Sequence, residues 1–359
     1  MDALTLFRSG GDIVPVVINP YTRQAEEEPF YQMVRDVCAK TVKARFVWSK
    51  AYVDREILTH WDAEHGAPEP LTVVFRAKRP THESVVVKTL KVDRTSRVPP
   101  DDQFAHNMHE VYFCNKLCRG SHPNLVRFHG AWAYEKFKEI FIEFDDGGDS
   151  LDELIHRAAS APDGPVVIPQ PTLAGYIQQV LAALAYIHSQ SVIHCDVKGG
   201  NILIRDGHVR LADFGVARET PGPFKPIEGA YEGVNTRGYV PYELLVKRRA
   251  PITSAVDVYA LGCVFAVALT GNMRLFQPYE DDPAAALDAI HRFSGGNPAI
   301  PPVGLTAFFP ALPQGDGHAH LHNLLARMLH WDQSVRIIAA AAMNHEYFIS
   351  AQRAALSIK

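Results

Sequence analysis

The sequence contains 359 residues, of which 47% are hydrophobic and 21% are charged, and its formal net charge at pH 7 is −4. The length suggests about two domains, and the composition is that of a globular protein able to bury substantial hydrophobic cores. The weak negative charge excludes the basic footprint with which proteins bind nucleic acids or anionic membranes. We therefore expect no nucleic-acid partner.

The cysteines and the apolar runs of the sequence indicate the cellular compartment in which the protein is expected. The five cysteines are an odd number and include no C-x-x-C pair, so they predict neither a disulfide framework nor a zinc site. The amino terminus shows no basic-then-apolar signal pattern. The longest apolar run, from 258 to 269, is too short to cross a bilayer. We expect an intracellular protein without a membrane span, in the cytoplasm or nucleus, or in those compartments of a host cell if the chain is viral.

Residues 1–50 are expected to form an N-terminal extension. The stretch 13–18 favours a short strand, and 26–45 favours a helix whose apolar residues recur at mixed steps of three, four and five. Packing of this helix against the following domain is the interpretation we favour. A docking segment for a regulatory protein is the alternative.

The next region, residues 51–144, is predicted to be a small β-rich domain with one prominent helix. Its strands are predicted at 56–61, 71–77, 84–90 and 139–144. The helix is predicted over 104–117, where apolar residues recur at helical steps. Lys88 lies near the end of the third strand, and Glu110 lies within the helix.

Residues 145–350 are predicted to form a larger, mainly helical domain, and 351–359 a C-terminal tail. The stretch 172–190 is strongly apolar and favours a helix buried at the centre of this domain. The preceding segment, 158–171, is rich in Pro and Ala and predicts a surface loop.

The most informative stretch runs from Val192 to Leu203 and reads V-I-H-C-D-V-K-G-G-N-I-L. Apolar residues flank a polar loop, and a second apolar run follows it and ends in D-F-G. We infer two short hydrophobic strands that present polar side chains around one small volume. These side chains are a carboxylate, an ammonium, an amide and a second carboxylate, from Asp196, Lys198, Asn201 and Asp213. Such groups orient a hydroxyl, neutralise a phosphate and hold a divalent metal.

The pattern H-C-D-V-K-G-G-N followed by D-F-G resembles the catalytic loop and the metal-binding motif of eukaryotic protein kinases, H-R-D-x-x-x-x-N and D-F-G. Further segments similar to that family are H-P-N-L-V at 122–126, N-T-R-G-Y-V-P-Y-E at 235–243 and N-H-E-Y-F at 344–348. The resemblance covers about residues 50 to 350 and is strongest between Ser121 and Leu269. It implies an α+β, bilobal protein-kinase-like fold, with a small β-rich N-lobe containing one key helix and a larger, mainly helical C-lobe.

The resemblance implies distinct roles for the four polar residues of the loop and the D-F-G. Asp196 would accept or orient the proton of the substrate hydroxyl, and Lys198 would reach the γ-phosphate of ATP. Asn201 and Asp213 would bind Mg²⁺, because oxygen ligands suit a hard cation.

The resemblance implies a second set of residues on the nucleotide. Lys88, held by an ion pair with Glu110, would fix the α- and β-phosphates of ATP. The residues from Glu143 to Asp145 would offer backbone groups to adenine. Asp149 is placed to meet a ribose hydroxyl.

The glycine-rich phosphate loop of the family is largely missing. Its position falls near residues 66–71, G-A-P-E-P-L, where only Gly66 matches. Glycines let backbone N–H groups approach phosphates, whereas the two prolines remove N–H donors and fix φ. We expect either a loop that clamps ATP poorly or another segment that covers the nucleotide.

Cys195 is a second departure, because it stands where the family carries the Arg of H-R-D. In the family, that Arg receives a phosphate on the activation segment, which corresponds to residues 216–242 here, through a bidentate contact that a thiol cannot make. We therefore expect activity that does not depend on phosphorylation of this segment, in which Tyr231 and Thr220 are the candidate positions. Thr236 is expected to be a structural threonine that contacts the catalytic Asp and Lys.

The expected function is transfer of the γ-phosphate of ATP to Ser or Thr hydroxyls of protein substrates. Lys198 favours Ser/Thr, since tyrosine kinases usually carry A-A-R or R-A-A in this part of the loop. A pseudokinase scaffold is the first alternative, favoured by the phosphate loop and Cys195 and opposed by the intact charged residues. A small-molecule phosphotransferase is the second. An expected ion pair between Glu243 and Arg336 opposes it, because these residues belong to a peptide-docking platform.

Overall fold

The computed structural model describes residues 5–9, 12–16, 53–58, 71–79, 81–93, 95–97, 100–120, 122–134, 139–160, 168–222, 224–227, 235–246, 250–272, 312–313 and 315–357. The chain divides into two compact units. The first comprises residues 1–121 and 126–147, and the second comprises residues 122–125 and 148–359. None of the helices within the described ranges is long and apolar enough to span a bilayer.

The described part of the N-terminal extension is a hairpin. Strand β1 (Thr5–Ser9) pairs antiparallel with strand β2 (Asp12–Val16). The strand predicted at 13–18 therefore exists, although it begins and ends earlier than predicted. The helix predicted at 26–45 lies outside the described residues.

A five-stranded antiparallel sheet dominates the first unit. In chain order its strands are β3 (Val53–Ile57), β4 (Thr72–Lys78), β5 (Ser84–Leu90), β6 (Phe128–Tyr134) and β7 (Glu139–Asp145). Their spatial order is β3-β4-β5-β7-β6, so β5 and β7 are inner strands. Side chains alternate across a strand, and β5 thereby buries Val85 and Val87 in a cluster with Phe75 and Ala77 of β4.

The predicted strands of this sheet agree with the structure in three cases. The strand predicted at 84–90 coincides with β5, and those at 71–77 and 139–144 match β4 and β7 to within one residue at each end. The strand predicted at 56–61 has wrong bounds, because β3 begins and ends earlier. Cross-strand pairing explains the difference: Glu56 lies opposite Arg76, with 2.8 Å between carboxylate and guanidinium, and such pairs fix register.

One long helix accompanies the sheet. Helix α1 (Pro100–Leu117) contacts β6 and β7 and buries Phe104, Met108 and Val111. The helix predicted at 104–117 is confirmed, and it begins earlier because proline at the first helical position loses no intrahelical hydrogen bond. Its buried face also carries Glu110, which is 3% exposed.

The second unit is mainly helical. The helices among its described residues are α2 (Leu151–Ala159), α3 (Gln170–Ser189), α4 (Tyr242–Val246), α5 (Ala255–Thr270), α6 (Ala319–Met328), α7 (Ala339–Ala342) and α8 (Glu346–Ser357). Helix α3 contacts α5, α7 and α8 and buries Leu173, Ile177, Leu181 and Leu184. The central helix predicted at 172–190 is therefore confirmed.

Short strands in the second unit support the polar loop. They are β8 (Asp149–Ser150), β9 (Val192–Ile193), β10 (Ile202–Arg205), β11 (His208–Leu211) and β12 (Arg218–Glu219). Strands β11, β10 and β8 form one sheet, and β12 pairs with β9. Residues 194–201 therefore connect β9 to β10, and residues 212–217 connect β11 to β12, as the apolar runs of the sequence indicate.

A buried ion pair fixes α4 within the second unit. Arg336 donates from Nη1 and Nη2 to the two carboxylate oxygens of Glu243, both at 2.8 Å. Arg336 also donates to the carbonyls of Ala255 and His330, at 2.9 and 2.8 Å. The predicted pair is confirmed, and its bidentate geometry is the strong form of a charge-assisted contact.

Candidate active site

In the first unit, β5 and α1 position a buried ion pair. The ammonium of Lys88 lies 2.8 and 2.9 Å from the two carboxylate oxygens of Glu110. The two side chains are 12% and 4% exposed, respectively. The pair predicted between strand and helix is therefore confirmed. It holds the Lys88 ammonium at a fixed point beside the inner strand of the sheet.

Two acids at the end of β7 are tied to the β4–β5 hairpin. The carboxylate of Glu143 accepts a hydrogen bond from Arg79, and this bond raises the pKa of the Arg79 guanidinium. The carboxylate of Asp146 accepts from Nε of Arg76 at 3.0 Å and from the hydroxyl of Ser84 at 2.8 Å. These contacts fix the chain where β7 ends.

Asp145, the last residue of β7, is engaged through both its backbone and its side chain. Its N–H donates to the carbonyl of Arg127 at 2.9 Å, and its carboxylate lies 2.5 Å from Nε2 of His129. The adenine contacts expected from Glu143 to Asp145 stay a prediction, and the N–H of Asp145 would have to exchange its partner to make one. Gly66 and the predicted phosphate loop around it lie outside the described residues.

In the second unit, Asp257 of α5 anchors the polar loop. Its carboxylate is fully buried and accepts the backbone N–H groups of His194 and Cys195 at 2.8 and 2.9 Å. The same carboxylate lies 2.8 Å from Nε2 of His188. The His194 ring in turn contacts the carbonyl of Ala212 at 3.0 Å. One helix residue therefore fixes the start of the loop, and that loop contacts the residue just before the D-F-G.

Asp196 is the centre of a compact polar network. Its carboxylate accepts from the ammonium of Lys198 at 2.7 Å and from the hydroxyl and N–H of Thr236 at 2.6 and 3.1 Å. Lys198 also donates to the Thr236 hydroxyl at 3.0 Å. The predicted contacts of Thr236 are confirmed. The carboxylate and the ammonium are thus held side by side, with both side chains partly accessible to solvent.

Asn201 and Asp213 supply oxygen atoms of the kind that bind magnesium. The amide nitrogen of Asn201 donates to the carbonyl of Asp196 at 2.8 Å and to its carboxylate at 3.2 Å, so the amide oxygen faces away from these acceptors. The N–H of Ala212 donates to the Asn201 carbonyl at 2.9 Å, which places the D-F-G beside the loop. Asp213 adopts φ +65° and accepts the N–H of Gly215 at 3.2 Å. An amide and a carboxylate oxygen fit a hard divalent cation.

Asp149, just before α2, has a partner in the last turn of that helix. Its carboxylate lies 2.9 Å from Nη2 of Arg157 in an exposed ion pair. The ribose contact expected of Asp149 stays a prediction. The predicted residues fall into two groups: Lys88, Glu110, Glu143 and Asp145 belong to the first unit, whereas Asp149, Asp196, Lys198, Asn201 and Asp213 belong to the second.

Cys195 is an internal structural residue. It is fully buried at φ +64°, burial raises the pKa of its thiol, and its carbonyl accepts the N–H of Asn235 at 2.6 Å. Thr220, one candidate phosphorylation position, is buried with its hydroxyl 3.1 Å from the carbonyl of Ser191. Tyr231, the other candidate, lies outside the described residues.

One contact to the loop was missed at the sequence level. Asp152 of α2 packs against Gly199 and Gly200, and the N–H of Gly200 donates to its carboxylate. The adjacent glycines carried a signal, because glycine is the usual residue where another chain segment approaches the backbone closely.

The arrangement around Asp196 defines the class. A carboxylate, an ammonium and an amide on one loop, followed by the aspartate of a D-F-G, form the catalytic apparatus that transfers phosphoryl groups in protein kinases. Residues 71–348 match the family model of the protein kinase domain. The chain therefore belongs to the protein kinase family. The predicted α+β, protein-kinase-like fold is confirmed, with a β-rich N-terminal region and a helical C-terminal region.

Two of the relatives described below are named as protein kinases, and a third is named as a cytokinesis protein. Two Arabidopsis thaliana proteins, each named Mitogen-activated protein kinase kinase kinase 3, are 30% identical over 190 residues and 27% identical over 228 residues. These alignments cover 52% and 63% of this chain and 27% and 31% of the relatives. Cytokinesis protein sepH of Emericella nidulans is 31% identical over 275 residues, 76% of this chain and 17% of the relative. The chain thus spans less than a third of each relative.

Proposed function

We propose that this chain is an active, ATP- and Mg²⁺-dependent protein kinase that phosphorylates Ser or Thr hydroxyls of protein substrates. The observation that carries the proposal is the network in which Thr236 contacts both Asp196 and Lys198. This network orients a base, the Asp196 carboxylate, and a cation, the Lys198 ammonium, toward the same volume. It does so without any covalent bond between the protein and the substrate. Phosphoryl transfer requires mainly such positioning and charge neutralisation.

In this mechanism the Asp196 carboxylate orients the substrate hydroxyl and takes its proton as the new O–P bond forms, while the bond between the γ-phosphorus and the β–γ bridging oxygen of ATP breaks and ADP leaves. The Lys198 ammonium, 2.7 Å from that carboxylate, neutralises charge that develops on the transferred phosphoryl group. Asn201 and Asp213 would hold Mg²⁺, which neutralises phosphate charge when it is bound. Lys88, fixed by Glu110, would bind the α- and β-phosphates.

The finer parts of the proposal concern the acceptor, the partners and the compartment. Lys198 supports Ser/Thr specificity, since tyrosine kinases usually carry A-A-R or R-A-A in this part of the loop, and two relatives named as protein kinase kinase kinases are consistent with protein substrates. The bidentate Glu243–Arg336 pair supports a peptide acceptor rather than a small molecule. We also propose an intracellular location, cytoplasmic or nuclear, and a regulatory protein as a further partner.

The proposal is tested by transfer of radiolabelled phosphate from ATP to a generic protein substrate. Because a positioned base typically contributes 10²–10⁴-fold, Asp196→Asn is expected to lower kcat about 100-fold or more. Asp213→Ala is expected to abolish transfer, since it removes a predicted metal ligand. Asp206→Asn is the matched control, because Asp206 is an exposed turn residue at φ +52° and asparagine tolerates that conformation. Transfer unaffected by Asp196→Asn would refute the proposal.

A pseudokinase scaffold is the second candidate function. It is favoured by the N–H of Asp145, which donates to the backbone carbonyl of Arg127, and by Cys195 in place of an arginine. Thermal shift with Mg·ATP beside the transfer assay separates the two functions. A shift of Tm without transfer, unchanged in Asp196→Asn, would support the scaffold.

A further inference from the structure

The first turn of α2 contacts the catalytic loop through a half-buried carboxylate. Asp152 accepts the N–H of Gly200, and its Oδ1 atom is buried and accepts no hydrogen bond from the described residues. A buried carboxylate oxygen without a donor is costly. A role in stabilising the protein surface does not explain why the Asp152 carboxylate lies against this loop.

Gly199 is the residue that admits this carboxylate. A Cβ atom at Gly199 would lie 1.9 Å from Oδ1, 2.6 Å from Cγ and 3.2 Å from Oδ2 of Asp152. These are the three nearest atoms, and all belong to Asp152. Any side chain at position 199 must therefore displace the Asp152 carboxylate or move the loop.

The groups around Asp152 only partly compensate the free-energy cost of ionising its carboxyl group. Burial raises the pKa of Asp152, and the N–H of Gly200 and the ammonium of Lys198 only partly oppose this effect, while Glu153 adds to it. Tyr239 is the other titratable group nearby, and its pKa is raised by burial and then by Asp152. Ionisation of Asp152 therefore costs stability at neutral pH, and this cost is absent at low pH, where the carboxyl group is protonated.

We propose that Asp152 is a positioning residue for phosphoryl transfer, whose carboxylate holds the Gly199–Gly200 turn so that Lys198 and Asn201 on either side keep their contacts with Asp196. Lys198 precedes the turn and Asn201 follows it, and both donate to the Asp196 carboxylate, at 2.7 and 3.2 Å. A shift of the turn would move both donors. The role of Asp152 in phosphoryl transfer rests on the proposed kinase function, whereas its positioning of the Gly199–Gly200 turn does not.

A double-mutant cycle tests the link between Asp152 and Gly199. Asp152→Ala is expected to lower kcat about tenfold with a small change in the KM for ATP, since it removes one charge-assisted hydrogen bond. Gly199→Ala should lower kcat to a similar degree. Adding Gly199→Ala to Asp152→Ala should cost little more, because the atoms that clash with the new methyl group are gone. Fully additive losses would overturn the proposal.

Two further variants distinguish positioning from ordinary stabilisation. Glu153→Ala is the matched control, because Glu153 forms a capping box with Ser150 on the same helix turn and is exposed. It should lower Tm while leaving kcat within about twofold, since caps act on helix stability. Asp152→Asn should leave Tm unchanged or raised at neutral pH but lower kcat. If Asp152→Asn lowered Tm and left kcat unchanged, the role would be structural and the proposal wrong.

Amide hydrogen exchange gives a readout that does not require activity. Asp152→Ala should speed exchange at Gly200 and its neighbours in the loop, and Glu153→Ala should not. If wild-type protein transferred no phosphate, the kinase function would fail, and this exchange result would still decide whether Asp152 holds the loop. Unchanged protection at Gly200 in Asp152→Ala would contradict the proposal.

Discussion

At the scale of single residues, the first unit contains a buried ion pair between Lys88 and Glu110. Glu110 is 3% exposed, and the Lys88 ammonium satisfies both of its oxygens, at 2.8 and 2.9 Å. Such a pair adds little net stability over an apolar pair of similar size, but removal of one partner leaves an uncompensated charge. Retention of both charges therefore points to function rather than to folding.

This asymmetry gives a prediction for stability. Lys88→Met should destabilise the protein by about 3–5 kcal/mol, because the Glu110 carboxylate stays buried without its cation. Lys88→Met combined with Glu110→Leu should recover most of that loss while nucleotide binding stays impaired. Urea unfolding measures the first effect, and thermal shift with Mg·ATP measures the second. A double variant as unstable as Lys88→Met would show that the ion pair itself stabilises the fold.

Cys195 gives a prediction for chemical reactivity. Its thiol is fully buried, and burial raises its pKa, so the thiolate fraction at pH 8 is smaller than that of an exposed cysteine. Iodoacetamide should therefore modify Cys195 in the native protein on the order of tenfold or more slowly than in urea. Peptide mass spectrometry measures both rates. Equal rates would show that the loop opens readily in the native state.

At the scale of elements, the catalytic loop depends on its attachment to α5. The Asp257 carboxylate accepts two backbone N–H groups of the loop and contacts His188, at distances of 2.8 to 2.9 Å. All of these groups are buried, so none of them could hydrogen-bond to bulk water if the Asp257 carboxylate were removed. The helix thus fixes where the loop begins, and the short strands fix where it ends.

Asp257→Ala tests this attachment. It should lower stability by roughly 3 kcal/mol or more, because each unsatisfied buried donor costs about 1–3 kcal/mol, and it should abolish transfer. Thr270→Ala is the control at the other end of α5, where the hydroxyl makes only local contacts: it donates to the carbonyls of Ala266 and Val267 and accepts the N–H of Asn272. Thermal unfolding and the transfer assay measure both effects. Normal transfer by a folded Asp257→Ala variant would show that the loop keeps its geometry without this anchor.

The elements that the sequence predicted well are those with local signals. The alternation of 84–90 predicted β5, and the polar loop between two apolar runs predicted the site of Asp196. The elements predicted poorly depend on residues distant in the chain. The bounds of β3 follow from the pairing of Glu56 with Arg76, and the contact of Asp152 with Gly199 follows from the packing of a helix against a loop.

At the scale of the whole molecule, the sequence predicted a β-rich region followed by a helical one, and the two units have that composition. The resemblance of the catalytic-loop and D-F-G motifs to protein kinases implied this division, while periodicities of two and 3.6 residues indicated individual strands and helices within it. Nucleotide contacts were less accessible to prediction. The glycine pattern at Gly66 is degenerate, so the sequence carries no local signal for a phosphate contact there.

The activation segment of the second unit is held by contacts that involve no phosphate. The N–H of Asn235 donates to the Cys195 carbonyl at 2.6 Å, and the Thr236 hydroxyl donates to Asp196 at 2.6 Å. Further back, Ile227 and Ile252 exchange backbone hydrogen bonds of 2.8 and 2.9 Å. These contacts fix the described ends of the segment on the catalytic loop and on the chain before α5.

Activity should therefore be independent of phosphorylation in this segment. Because Cys195 offers no guanidinium to a phosphate, treatment with a phosphatase should change kcat by less than about twofold. Mass spectrometry confirms that phosphate has been removed, and Tyr231→Phe provides a protein that cannot be modified at that position. Asn235→Val is the opposing variant, because φ +58° is strained for a β-branched residue, and it should lower kcat without any change in phosphorylation. Activity lost on dephosphorylation and restored on rephosphorylation would show that a phosphate, bound elsewhere than at Cys195, orders the segment.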